Sequence, residues 1–226
     1  MKKILSGSAV KITAALSMLI DHAAIILNRY NVICEPVYKI MRGVGRLAFP
    51  LFTFLIVEGF IHTKSVAKYI TRLAVFAFLS EVPFDILNYG KIFYAGHNNV
   101  LFTYVIAVCI LWAVSGFLKM GTKGMIYMFI LVAVGMASAF LLKTDYSWRG
   151  VMLALVFYIM HDYKPVKYIT GALVLVMSGS LLCFAAPLSF IIMEMYDGRK
   201  GRMPRYVMYV FYPLHMLVLG IAGMMA

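Results

Sequence analysis

Long apolar runs alternate with short polar intervals along the whole chain. Runs of about 20 apolar residues are long enough to cross the hydrocarbon core of a bilayer as α-helices. The run at 166–195 is too long for one helix, and Ser178, Gly179 and Ser180 at its centre predict a turn. The pattern therefore predicts an all-α transmembrane bundle of about nine spans, between eight and ten. The runs lie at 9–28, 45–62, 67–88, 99–118, 125–142, 147–161, 166–195 and 206–225.

Composition agrees with a membrane protein. Hydrophobic residues make up 63% of the 226 residues and charged residues 13%, against about 45–50% and 25% in soluble domains. Strands of outer-membrane barrels alternate apolar and polar residues, so the continuous runs exclude that class. The intervals are too short for a soluble domain, and we predict one integral membrane domain over residues 1–226. Three scattered cysteines form neither a disulfide framework nor a metal motif, and no metal is expected.

The positive charge predicts the orientation. The formal net charge is +12, and cytoplasmic loops of membrane proteins are enriched in Lys and Arg. Nine spans with a cytoplasmic N-terminus put 13 cations inside and 7 outside, whereas eight spans put 9 inside and 11 outside. We therefore expect nine spans, with the N-terminus in the cytoplasm and the C-terminus outside. Since topology explains the charge, no nucleic-acid partner is predicted.

Ionisable residues inside spans are the candidate functional residues, because each is costly in the hydrocarbon region. Asp21, His22, Glu58 and His215 lie well inside their predicted spans. The alternative is that these residues only bond neighbouring helices together.

His22 and Lys11 share one face of the first helix, since 11 residues make three turns plus about 20°. The rise between them is about 16 Å, which puts Lys11 at the cytoplasmic boundary and His22 near the midplane. This spacing suits a long ligand with an anionic head on Lys11 and a reactive end at His22, where a neutral imidazole can act as general base. Asp21 points about 100° away, so the carboxylate that orients His22 is expected to be either Asp21 or Glu58.

Two polar residues near other span ends complete the set. Arg46, at the predicted outer mouth, is either a ligand for an anionic acceptor or an interfacial anchor. Asn98 precedes the fourth span, where it either caps the helix or lines a site.

Several segments, in order along the chain, resemble the TraX family. The resemblance covers the chain nearly end to end and implies a bacterial inner-membrane acyltransferase. The founding member is linked to N-terminal acetylation of conjugative pilin. TraX proteins are in turn similar to wider transmembrane acyltransferases, in which a basic residue precedes a first-helix His at the spacing of Lys11 and His22. The segments are 11–22, 45–52, 58–60, 72–73, 80–85, 98–103 and 212–215.

The resemblance also implies acetyl-CoA as co-substrate from the cytoplasm and an acceptor from the outer side. The acceptor is a pilin N-terminus, another peptide, a glycan or a lipid, and the sequence leaves the acyl chain length open. Two other classes stay open: a small proton-coupled transporter or flippase, and a non-catalytic membrane assembly factor. The predicted roles are Lys11, Lys64 and Lys68 for the CoA phosphates, His22 with Asp21 and Glu58 for catalysis, and Arg46, Asn98 and His215 for substrate or oxyanion binding.

Overall fold

The computed structural model describes residues 3–117, 120–177 and 181–225. Over these residues the regular structure is helical and no strand is formed, which confirms the all-α prediction there. The helices are α1 (Gly7–Arg29), α2 (Glu35–Gly45), α3 (Ala48–Ile61), α4 (Val66–Tyr89), α5 (Val100–Phe117), α6 (Gly121–Leu141), α7 (Ser147–Ile159), α8 (Lys164–Val176), α9 (Ser189–Glu194) and α10 (Val207–Met225), with a 3₁₀ segment at Leu181–Leu188 before α9.

Most helices follow the predicted spans closely. Helices α1, α4, α5 and α10 begin and end within two residues of the bounds predicted from the apolar runs. Helix α3 begins at Ala48 and has Pro50 in its first turn, where a missing N–H breaks no helical hydrogen bond. The proline therefore starts the regular part of this helix.

Two regions differ from the prediction. Residues 35–44 were expected in the interval between the first two spans but form α2 together with Gly45. This helix begins with Glu35 and Pro36 and leaves only Gly45 buried. No apolar run marks it, because most of its residues face outward. The second half of the run at 166–195 is a 3₁₀ segment containing Pro187 and then the six-residue α9, rather than one helix. The predicted turn at 178–180 lies outside the described residues.

The chain is a helical membrane protein. Five helical stretches among the described residues are long and apolar enough to cross a bilayer: Gly7–Arg29, Glu35–Ile61, Val100–Phe117, Lys123–Leu141 and Val207–Met225. The surface of the described residues carries many exposed large apolar side chains, such as Phe78, Ile130 and Leu173, as expected where lipid replaces water. The number of nine spans stays a prediction.

The chain divides into two compact units. The first comprises Met1–Leu55, Leu79–Tyr94 and Leu175–Ala226. In it, Ser17 Oγ donates to Val44 O at 2.6 Å and ties α1 to α2. Helix α1 also packs on α10, where a side chain at Gly223 would press against Ile26. This unit holds His22.

The second unit comprises Ile56–Phe78 and Ala95–Val174. Its buried core lies on α5 and α7, whereas most of α6 is exposed. The turn before α7 is tied to α5 through Thr103, which donates to Asp145 O and bonds the Thr144 hydroxyl. This unit holds Glu58.

Candidate functional site

Asp21 joins α1 to α2. Its Oδ2 accepts a hydrogen bond from Arg42 Nη1 at 2.6 Å, and both side chains are largely buried, at about 15% exposure. Gly45 makes the approach possible, because a Cβ there would collide with the Asp21 side chain. As expected from the 100° offset, the geometry directs Asp21 toward α2. Its observed contact is an interhelical ion pair.

The partner of His22 is a second histidine. His22 Nδ1 lies 2.8 Å from His215 Nε2 on α10, and the two ring planes differ by only 4°. His215 Nδ1 in turn lies 2.7 Å from Phe211 O, one turn earlier on its own helix. The Phe211 ring stacks on His215 at a centroid distance of 4.6 Å. His215 is therefore held by a hydrogen bond on one edge and by stacking on one face.

This chain of hydrogen bonds assigns the tautomers. A carbonyl oxygen can only accept, so His215 Nδ1 carries the hydrogen that Phe211 O receives. A neutral His215 then offers Nε2 as an acceptor, and the hydrogen between the two rings belongs to His22 Nδ1. His22 Nε2 is thereby left with a lone pair. Such a nitrogen can take a proton from a bound substrate.

The predicted role of His215 changes accordingly. Both of its nitrogens are engaged by protein atoms, so it has no N–H left to bind a substrate oxyanion. Its contacts instead orient His22. His215 was a candidate because it lies inside a predicted span, but nothing in the sequence pattern indicates that it meets His22.

Arg46 is one of the charged residues that act on His22. Its positive charge and that of Arg42 act on His22, and all three lie in the first unit. Arg46 lies in the break between α2 and α3, and its predicted role in binding an anionic acceptor stays a prediction.

Glu58 lies in the other unit and has other partners. Its Oε1 is 3.0 Å from His161 Nε2, and its Oε2 is 3.9 Å from His62 Nδ1. Lys167, which is buried, donates from Nζ to His161 O at 3.3 Å. Glu58, one of the two carboxylates expected to orient His22, is thus engaged in a cluster of its own. Among the described residues, no group of three or more His, Cys, Asp and Glu is arranged for a metal ion.

Asn98 also lies in the second unit, in a hydrogen-bonded turn. Its side-chain Nδ2 donates to Leu142 O at 2.6 Å, and its backbone exchanges bonds with Lys143 and Asp145. None of these bonds caps α5; that bond is made by Asn99, whose Oδ1 accepts from Leu101 N at 3.0 Å. The Asn98 amide holds the start of α5 to the end of α6.

The predicted phosphate-binding lysines do not all share a unit. Lys11 lies on α1 in the first unit, whereas Lys64 and Lys68 are exposed residues of the second.

Residues 197–205, which we call the basic loop, lie beside the start of α1. In the sequence, the positive charges of this segment served only to predict the orientation of the chain. Asp197 accepts hydrogen bonds from Arg199 N, Nε and Nη2 at 2.6–2.9 Å. These bonds hold the pKa of the Asp197 carboxyl below its usual value, so it stays ionised and neutralises Arg199.

Comparison with known proteins agrees with the sequence motifs. The family described as "TraX protein" matches residues 6–222. The chain is also similar to the "Probable fimbrial assembly protein FimC, serogroup H1" of Dichelobacter nodosus. The two are 28% identical over 244 aligned positions, which cover 97% of this chain and 96% of that protein. No solved structure matches the chain.

Proposed function

Because the chain belongs to the TraX family, we propose that it is an acetyltransferase of the bacterial inner membrane. It takes the acetyl group of cytoplasmic acetyl-CoA and transfers it to an amine or hydroxyl acceptor. The N-terminus and the basic loop face the cytoplasm, and nine spans cross the membrane. The observation that carries this proposal is the hydrogen-bonded chain from Phe211 O through His215 to His22.

The proposed reaction uses the lone pair on His22 Nε2. As the acceptor nitrogen or oxygen attacks the thioester carbonyl, Nε2 takes the proton that the acceptor loses. The carbon–sulfur bond then breaks, and the proton passes from His22 to the leaving thiolate. His215 accepts from His22 Nδ1 throughout, which holds the ring in place while it is charged. The guanidinium of Arg46 stabilises the negative charge that develops on the carbonyl oxygen.

A protein N-terminus is the acceptor that we favour. The similar protein from Dichelobacter nodosus is named for fimbrial assembly, and fimbriae are built from pilin subunits. Acetylation removes the positive charge of an α-amino group. An acceptor of this kind approaches the site from the outer side of the membrane.

Transfer of labelled acetyl groups tests the proposal. The full chain, purified into nanodiscs, is incubated with acetyl-labelled acetyl-CoA and with peptide, glycan and lipid acceptors. We expect His22→Gln to lower the transfer rate by about 10²- to 10⁴-fold, the contribution of a positioned general base, while acetyl-CoA affinity is kept. The matched control is His62→Gln, since the His62 side chain is 68% exposed and bonds its own helix. A folded wild-type protein that neither binds acetyl-CoA nor transfers acetyl groups would contradict the proposal.

A non-catalytic assembly factor is the second candidate, favoured by the name of the similar protein. In that case the polar contacts between α1 and α10 only hold helices together. His22→Gln would then leave fimbrial assembly unchanged wherever the protein accumulates to wild-type levels, whereas the enzyme hypothesis expects assembly to depend on His22 at equal protein level.

A further inference from the structure

The basic loop is fixed to the beginning of α1 by hydrogen bonds of its backbone to the backbone of Gly7 and to the side chain of Ser8. Gly7 N donates to Arg199 O at 2.7 Å, and Met203 N donates to Ser8 Oγ at 2.9 Å. Upstream, Asp197 N donates to Leu5 O at 3.0 Å. The loop therefore has a defined position over the first turn of α1.

Two glycines fit the loop to that surface. Gly198 and Gly201 have φ angles of +82° and +78°, which residues with a side chain rarely adopt. A Cβ at Gly201 would also collide with Ser8, and one at Gly7 would come within 3.0 Å of Lys200 O. At both contacts a glycine leaves room for the atoms of its neighbour: Gly201 for the Ser8 side chain and Gly7 for the Lys200 carbonyl.

Uncompensated positive charge collects at this contact. Asp197 already neutralises Arg199. Within the described part of the chain, no carboxylate forms an ion pair with Lys200, Arg202 or Arg205, or with Lys11. The first two turns of α1 and the loop bonded to them therefore carry four cations that have no ion-paired carboxylate among the described residues.

Lys11 faces this loop. It follows Gly7 by four residues, so both lie on the same face of α1, and the charges of Lys11 and Lys200 act on each other. Like charges brought together are unfavourable. A cytoplasmic loop needs only positive charge for its topology, not a fixed backbone that brings Lys200 to Lys11. An anion between them would turn the repulsion into attraction.

We propose that Lys11, Lys200 and Arg202 form a phosphate-binding site for the nucleotide end of the acyl-CoA co-substrate. This inference rests on the proposed function and adds the basic loop to it. Lys and Arg side chains are strong ligands for phosphate oxygens. The site is built from these side chains and not from the end of the helix, because the Gly7 and Ala9 N–H groups are bonded to Arg199 O and Ser6 Oγ.

The distance to His22 suits such a ligand. His22 lies about 16 Å along α1 from Lys11, on the same face. If the phosphates are held at the loop, an extended arm that follows α1 brings its thioester end toward the imidazole. In acetyl-CoA the nucleotide carries the negative charge and the arm carries the thioester. This order matches the face of α1, on which the cation Lys11 precedes His22.

Binding and kinetics in nanodiscs of zwitterionic phosphatidylcholine test the site. The double variant Lys200→Gln/Arg202→Gln is compared with Lys39→Gln, since Lys39 is also exposed and pairs with Glu35 on α2. We expect the double variant to weaken acetyl-CoA binding and to raise KM for acetyl-CoA at least about tenfold, with kcat kept. S-acetylpantetheine, which lacks the nucleotide phosphates, should react equally well with both variants and with the wild type.

The outcomes separate the two proposals. If the wild type transfers acetyl groups and the double variant has wild-type affinity and KM, the basic loop is not the phosphate site, although the enzyme hypothesis stands. If the wild type neither binds acetyl-CoA nor transfers acetyl groups, both proposals fail. Lipid phosphate offers the same chemistry, so retention of phosphatidylglycerol is measured by native mass spectrometry. Loss of that lipid from the double variant with acetyl-CoA affinity intact would overturn the inference in favour of a lipid site.

Discussion

A histidine in a membrane helix can donate or accept at either ring nitrogen, and its chemistry depends on which nitrogen keeps the hydrogen. In this protein one main-chain carbonyl oxygen determines which nitrogen carries the hydrogen in two histidine rings. Phe211 O fixes the hydrogen on His215 Nδ1, and His215 Nε2 then fixes the hydrogen on His22 Nδ1. The orientation of the proposed base thus depends on a neutral acceptor instead of a carboxylate.

Substitution of His215 tests this dependence. A glutamine at this position can offer its side-chain oxygen where Nε2 lies, whereas phenylalanine fills the space with no acceptor. We expect His215→Phe to lower acetyl transfer about a hundredfold, part of what a positioned general base contributes, and His215→Gln to retain most of it. Nitrogen-15 spectra of the five histidines report the tautomer, and His22 should lose its Nδ1–H preference only in His215→Phe.

A purely structural role for His215 predicts something else. Both variants would then change thermal stability, and acetyl transfer per folded molecule would stay at the wild-type level. The kinetic comparison is therefore made on protein that elutes as a single species and melts cooperatively.

The sequence identified His22 but not its surroundings. Helical periodicity gives the face on which a residue lies, which is why Lys11 and His22 could be aligned. It does not say which distant helix covers that face, and His215 is 193 positions away. Glu58 was an equally plausible partner by composition. Its engagement with His161 depends on the packing of α3 and α7, which no local pattern encodes.

Among the helices, α2 was missed because it has no apolar run, yet it fixes α1. Its contacts with α1 are the Arg42–Asp21 ion pair, the Ser17–Val44 hydrogen bond and the close approach at Gly45. A short amphipathic helix of this kind is recognised by what it packs against, and that information is absent from hydropathy. By contrast, the ends of the long apolar helices can be predicted from the sequence, because polar residues flank each apolar run.

Gly45→Ala tests the packing of α2 on α1. The added methyl group would overlap both the Oδ1 and Cβ atoms of Asp21, and Cβ cannot move without moving the α1 backbone. We expect a loss of about 1–3 kcal/mol in the free energy of unfolding, typical of overpacking. Thermal unfolding in detergent, followed by size-exclusion chromatography, measures it.

Gly43→Ala is the matched control, two residues away in the same helix. A Cβ there meets nothing within 4 Å, and alanine favours a helix over glycine by about 0.5–1 kcal/mol. This variant should therefore be as stable as the wild type or more so. Equal destabilisation by both substitutions would show that α2 does not pack on α1 in this way.

Two contacts determine the relative direction of α1 and α10. His22 meets His215, and Ile26, one turn further along α1, lies against Gly223, two turns further along α10. Both pairs advance together, so α1 and α10 run parallel. If each crosses the membrane once, their beginnings share one side and the C-terminus lies on the other side from the N-terminus. The number of nine spans stays a prediction.

Cysteine labelling tests whether the basic loop faces the cytoplasm, where acetyl-CoA is present. Cys34 is exposed and lies just beyond the end of α1, whereas the basic loop is bonded to its beginning. The 23 residues of α1 rise about 33 Å, more than the hydrocarbon core of about 30 Å. If α1 crosses the membrane, these two positions therefore lie in opposite compartments. We expect a membrane-impermeant maleimide to label Cys34 in intact cells when Cys109 and Cys183 are replaced by alanine. Arg202→Cys in a chain without other cysteines should be labelled only after permeabilisation. Labelling of Arg202→Cys in intact cells would place the basic loop where acetyl-CoA is absent, and the loop could then not hold this co-substrate.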